Sequence, residues 1–188
     1  SNMRYVESGS HKWNDPNNWQ IEISPSVWIP NNTGCTPDPY TNVIFNSSSF
    51  PATGPNWIDI DSTAYCNDFF WAWTIPAGIT MNLNAHLHTF GNVRLGAGMN
   101  TINGTSPFNV HGKNCTFESN GVSVHEIIVN PHANCKFMDD LNVTNLRGYL
   151  YSLVRAKNII INTEILGLAD VAFDSMIANI GDYYQDYG

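Results

Sequence analysis

The side chains best suited to chemistry are two acidic pairs, Asp59/Asp61 and Asp139/Asp140, and the histidines His86 and His88. Paired carboxylates serve glycosidases as acid and base, and calcium-dependent polysaccharide lyases as cation ligands. In Trp57-Ile58-Asp59-Ile60-Asp61, alternation sets both carboxylates opposite the two isoleucines. If the isoleucines face a core, the Asp pair points outward, where it could receive Ca2+. Solvated Asp on a polar face is commoner, and Asp139-Asp140, between two strand-like runs, suits a turn. His86 and His88 share one face two residues apart, as metal-binding strand pairs do, with His111, His125 and His132 as looser companions. No third ligand is fixed by the spacing. Arg94, Arg147 and Arg155 have no acidic neighbours in sequence to complete a lyase-type site. The nucleophile elbow, the phosphate-binding loop and the H-E-x-x-H zinc motif are all missing. The expectation is a chain with no catalytic residues and no cofactor, with Ca2+ at the acidic pairs as the exception to test.

Six tryptophans offer another kind of chemistry, because an exposed indole can stack on a sugar ring. Trp13 and Trp19, together with Asp59 and Asp61, are the ligand-binding candidates on that reading. The alternative is that Trp13, Trp19 and Trp28 supply apolar bulk to cover the end of a core, and it is preferred. The four cysteines, Cys35, Cys66, Cys115 and Cys135, form no C-x-x-C motif, so a zinc ribbon is not expected. Cys35 and Cys66 lie in or beside the aromatic N-terminal region, and a disulfide between them stays open as a possibility.

The composition bounds what these residues can serve. The chain has 188 residues, eight Lys and Arg against sixteen Asp and Glu, and a formal charge of −8. Nucleic acid is therefore excluded as a partner, since binding it needs a basic face, and anionic membrane surfaces are disfavoured. No apolar run is long enough for a membrane span, so no membrane insertion is expected. Charged residues are only 13% of the chain, and 25 asparagines with many Ser and Thr supply the polar surface instead. A surface of that kind suits an extracellular or cell-surface protein.

The elements that must position these residues read as strands. Val43-Ile44-Phe45, residues 57–61, 79–83 and Ile159-Ile160-Ile161 alternate or run apolar between Gly and Asn breaks. Residues 166–180 are the one helix candidate. Asn114-Cys-Thr-Phe117 and Asn134-Cys-Lys-Phe137 repeat a pattern at a spacing of twenty residues, with Asn92-Val-Arg-Leu95 before them and Asn158-Ile-Ile-Ile161 after. A second series runs through residues 99–102, 122–124 and 141–143, and a third through 108–110, 127–129 and 149–151. Three short strands in each period describe a right-handed, three-sided parallel β-helix of the all-β class. The spacing places Cys115 beside Cys135 and Phe117 beside Phe137 in neighbouring coils. The asparagine before each strand is expected to turn a corner in left-handed conformation. A β-sandwich is the alternative architecture. Ser1-Asn2-Met3 reads as the scar of a removed purification tag, residues 4–56 as an N-terminal aromatic cap, and residues 57–188 as solenoid coils. An uncapped end leaves unpaired strand edges, so self-association through the C-terminal end, or residues 166–180 folded over it as a lid, is expected.

A family resemblance adds to this reading. Trp13-Asn-Asp15-Pro16-Asn-Asn18-Trp19 resembles the W-x-D-P-x-N-W motif of large secreted bacterial repeat proteins and autotransporter-like surface proteins. Asn42-Val43-Ile44-Phe45 resembles their D-x-V-x-F strand, with Asn42 in place of the Asp. Trp57–Asp61, Ala64-Tyr-Cys66-Asn-Asp68 and Phe137-Met-Asp139-Asp140-Leu141 are similar to further segments of the same proteins. The resemblance implies a β-helical, adhesin-like exodomain and brings no catalytic residues with it. The expected function is a non-catalytic spacer or adhesive surface whose partners are glycans or cell-surface macromolecules. The alternative is a carbohydrate-binding or polysaccharide-cleaving β-helix.

Overall fold

The computed structural model describes residues 1–53, 56–75, 77–96, 98–149, 152–166, 170–178 and 182–184. For residue 100, and in the strands from residue 153 onward, it describes the backbone alone. The chain winds as a parallel β-solenoid, with no α-helix among the described residues. Among the described residues no helix is long and apolar enough to cross a membrane.

Among the described residues the first three coils each lay one short strand on each of three stacks, and the later coils continue the first and third. The first sheet stacks Asn42–Phe45, Phe69–Trp71, Val93–Arg94, Cys115–Glu118 and Asn134–Phe137, all parallel. The second stacks Trp57–Ile60, Ile79–Leu83 and Met99–Asn103. The third stacks Ala64–Cys66, Leu87–Thr89, Phe108–Val110, Val124–Val129 and Leu141–Gly148. Strand alternation sorts side chains by face, so in the first sheet Val43, Phe69, Val93, Phe117 and Phe137 form one inward row, all at or below 2% exposure. Cys115 pairs with Cys135 and Phe117 with Phe137, as the twenty-residue repeat predicts. The two phenyl rings sit 5.5 Å apart.

Three details of the repeat differ from the sequence reading. Val93 aligns with Phe117, so Asn92 lies beside Thr116 and the first copy is offset by two residues. Residues 159–161 pair with 141–143 and belong to the second strand series, while 153–155 continue the first sheet after Asn134–Phe137. The third series runs through Leu146, Arg147 and Gly148, which pair with Ile127, Ile128 and Val129. Tyr149 lies just beyond that strand, and residues 150 and 151 are outside the described residues. The asparagines before the strands are not left-handed either. Asn92 Oδ1 accepts from Thr116 N and Oγ1 at 3.0 and 3.1 Å, and Asn134 Nδ2 donates to Asn114 Oδ1 at 3.2 Å. They bond coil to coil, while His132, with φ 64°, takes the left-handed turn before Asn134.

The N-terminal segment closes the first sheet. Asn2–Tyr5 pairs parallel with Asn42–Phe45 and antiparallel with Trp19–Ser24, which forms a hairpin with Val27–Pro30. Asn2 and Met3, set aside above as a scar, are thus ladder residues, and Met3 is buried against the core. A 3-10 turn, Pro16–Asn18, is capped by the Asp15 carboxylate, which accepts from Asn17 N. At the other end, Asp170–Ala178 is a strand paired in parallel register with residues 153–161. The helical lid expected over 166–180 is absent. The backbone there continues the coil, whose β-branched Val171 and Ile177 suit a strand. Residues 167–169 and 179–180 of that stretch are outside the described residues.

Candidate functional site

The acidic candidates hold coils together. Ile58 and Ile60 are fully buried, so Asp59 and Asp61 do point outward. Asp59 accepts from Trp57 Nε1 at 3.1 Å and Asn82 Nδ2 at 2.6 Å, and Asn82 in turn accepts from Asn103 Nδ2 at 3.1 Å. Its row is therefore an amide ladder along the second sheet. Asp61 pairs with Lys12 Nζ at 2.7 Å, and that hydrogen bond raises the lysine's pKa. Asp139 Oδ1 accepts from Ser119 N at 2.9 Å, and Oδ2 accepts from Ser119 Oγ at 3.1 Å and from Asn120 N. The left-handed turn Asn120-Gly121, φ 50° and 80°, is pinned by that carboxylate. Asp140 lies beside it at a shallow depression of about 480 Å3, together with Asn120, Gly121 and Met138. Among the described residues no three His, Cys, Asp or Glu side chains converge as a metal site.

Trp13 and Trp19 stand where a cover would, at 0% and 1% exposure. Their rings meet edge-on at 5.0 Å, Trp13 stacks near Phe69 at 6.3 Å, and Trp19 Nε1 donates to Trp13 O at 2.7 Å. As sugar platforms they are ruled out, because no ring face reaches solvent. The Cys35–Cys66 bridge is also absent. Cys35 is exposed, whereas Cys66 is at 0% exposure inside the third sheet, and burial pushes its thiol pKa up.

The histidines gather on the outer face of the third sheet. His111 reaches back diagonally to His88, with 2.8 Å between His111 Nε2 and His88 Nδ1, and Asn109 reaches back to His86 Nδ1 at 3.2 Å. Tyr65 stacks on His88 at 5.1 Å and Phe90 on His111 at 4.6 Å. Burial, then the charges of His111 and His86, lowers the pKa of His88, and burial lowers that of His111. Both imidazoles are thereby kept neutral near pH 7 and can share one N–H···N bond. His86 is exposed on the same face; His125 and His132 have no part in these bonds.

The outer face of the first sheet carries a second constellation, which the sequence reading missed. Pairing aligns Arg4, Ile44, Phe70, Arg94 and Glu118 in one row across five strands. The Arg94 guanidinium lies 5.3 Å from the Phe70 ring and 4.7 Å from the Trp73 ring, and its Nε is 3.1 Å from Glu118 Oε2. Arg4 repeats the arrangement, 4.8 Å over the Trp28 ring and bonded to Gln20 Oε1. Trp73 is 57% exposed and Phe70 37%. Phe69-Phe70-Trp71 alternates in, out, in, which was the one local signal for an outward aromatic. Arg147, like Arg94, finds its acid across coils, with Nε 2.6 Å from Glu126. Compared with known proteins, the chain matches no family model, no curated relative and no solved structure.

Proposed function

We propose that the chain is a non-catalytic module of an extracellular or cell-surface protein, a β-solenoid spacer whose outer faces act as an adhesin-like binding surface. The observation that carries this reading is the employment of the acidic candidates. Asp59 accepts from Trp57 and Asn82, Asp61 is paired with Lys12, and Asp139 caps the turn at Asn120. A carboxylate engaged in this way has fewer acceptor sites left for a substrate proton or a cation. The low charge content and the asparagine ladders along the coils support a stiff, amide-rich surface suited to an extracellular medium. The resemblance of the Trp13–Trp19 motif to that of secreted repeat proteins points the same way.

The test is turnover. Incubation with soluble polysaccharides, with and without calcium, should release no new reducing ends, and the Asp59→Asn/Asp61→Asn double variant should behave identically. Cleavage that disappears in that variant would overturn the non-catalytic reading. An antibody against the chain should label intact cells; labelling only after lysis would overturn the surface location. A carbohydrate-binding role is the second reading. It is favoured by one feature, the exposed Phe70 and Trp73 beside Arg94.

A further inference from the structure

We propose that the outer row of the first sheet is a glycan-binding stripe, on which a neutral oligosaccharide lies along the solenoid axis over Ile44 and Phe70, between the Arg4–Trp28 and Arg94–Trp73 pairs. This deepens the binding-surface reading above and rests on it. The row is set by backbone pairing, so its geometry is that of the sheet: five side chains from five strands, at steps of about 4.8 Å. Ile44 and Phe70 form an apolar stretch flanked on each side by an arginine with an indole against it, and Glu118 follows Arg94 at the end of the row.

Such a row asks for a ligand with apolar faces and a polar rim. A pyranose ring has both, since its axial C–H bonds make a face that packs on an aromatic ring and its hydroxyls radiate from the edge. Trp73 and Phe70 offer exposed ring surface. The guanidinium of Arg94 offers a planar fork of donors, and Glu118 beside it offers acceptors, so together they match a pair of neighbouring hydroxyls. These groups are already held: Arg94 by Glu118 and two rings, Arg4 by Gln20 and Trp28. Little side-chain freedom is then lost on binding. Asn42, Asp68 and Asn92 run alongside in the neighbouring outward row, adding two amides and one carboxylate, whose Oδ1 accepts from Asn92 N at 2.6 Å.

Charge and size select among occupants. Glu118 neutralises Arg94, and the chain as a whole carries −8, so a polyanionic glycan is repelled overall. Nucleic acid is disfavoured by the same charge. A stable protein partner needs roughly 800 Å2 per side around an apolar core. The row beside this stripe carries Asn42, Asp68 and Asn92, polar and charged groups that such a core would have to bury.

The experiment is a calorimetric titration of the whole chain with hexasaccharides of beta-linked glucan, mannan and xylan, and with oligogalacturonate as the anionic comparator. The expected result is binding of at least one neutral hexasaccharide. Trp73→Ala and Phe70→Ser should each weaken it by about ten-fold or more, as loss of an aromatic anchor does. Both residues face solvent, so the melting temperature should hold, and Tyr65→Ala on the third sheet should leave affinity unchanged. The proposal fails if no neutral hexasaccharide binds, if only oligogalacturonate binds, or if affinity survives in the Trp73→Ala/Phe70→Ser double variant. It also fails if that double variant abolishes a self-association seen by light scattering, since the stripe is then a contact between copies. Binding accompanied by new reducing ends would instead sink the non-catalytic reading and leave the stripe standing.

Discussion

At the residue scale, the same chemical type behaves differently according to its burial. Cys35 is exposed while Cys66, Cys115 and Cys135 are buried, so a thiol-specific reagent should label one cysteine rapidly in the folded chain. Cys35→Ser should remove that fast phase, and denaturant should expose three more thiols. A folded chain with no reactive thiol, and two released by reductant, would show Cys35 and Cys66 to be bridged after all. Histidine provides the second residue-level expectation. Burial, with the charges of His111 and His86 in addition, lowers the pKa of His88, and burial lowers that of His111. The unfolded chain therefore binds more protons just below the ordinary value of 6.5. Stability from these neutral rings is complete above that pH and is lost as pH falls through it toward the lower folded values. Melting temperature should be flat above neutrality and decline below it, and His88→Gln should shallow the decline. Asp15 and Asp38 act in a separate, more acidic window, because hydrogen bonds from Ser10 and Thr41 respectively hold them below their ordinary 3.8. A profile unchanged by His88→Gln would show the imidazole pair to be uninvolved.

At the scale of elements, strand alternation was legible, and strand registration was legible only at the twenty-residue echo. The inward positions of Ile58, Ile60, Phe117 and Phe137 followed from period-two patterning, and so did the outward Asp59. The twenty-residue echo placed Cys115 on Cys135 because that one step contains no insertion. Asn92 was placed two residues out because an apolar-variable-apolar triplet looks alike on all three sheets. Residues 159–161 were assigned to the wrong sheet for the same reason. The outward row of the first sheet stayed hidden for a stronger reason: Arg4, Ile44, Phe70, Arg94 and Glu118 become neighbours only through four successive registers. Turn chemistry carries the element-level expectation. Asp139 accepts from Ser119 N, Ser119 Oγ and Asn120 N, so Asp139→Ala should lower stability by about 1–3 kcal/mol, the cost of orphaned partially buried donors. Calcium should not raise the melting temperature of the parent chain. A calcium-dependent rise lost in Asp139→Ala would make this carboxylate a cation ligand instead of a cap.

At the scale of the whole molecule, the coils shorten along the chain, and the cap covers the wide end. In-register partners in the first sheet are 26 residues apart from Val43 to Phe69, 24 from Phe69 to Val93 and again to Phe117, then 20 to Phe137. Cys135 to Val154 is 19, and Val154 to Val171 is 17. The wide coils are filled with large rings: Phe45 and Trp71 stack at 4.7 Å, and Trp13 and Trp19 sit over them. In a solenoid each coil contacts only its neighbours, so stability is a sum of coil and interface terms, and damage at one end should stay local. Trp13→Ala removes a fully buried indole and should cost about 3–5 kcal/mol in the cap and the coil beneath it. Amide hydrogen exchange resolves where that loss falls. Protection should collapse in Asn2–Tyr5, Trp19–Ser24 and Asn42–Phe45, while Phe108–Val110 and Cys115–Glu118, stacked on both sides, keep their parent rates. An even loss of protection through all these strands would mean that the coils unfold as one cooperative unit, with the aromatic cap as its nucleus and not merely its cover.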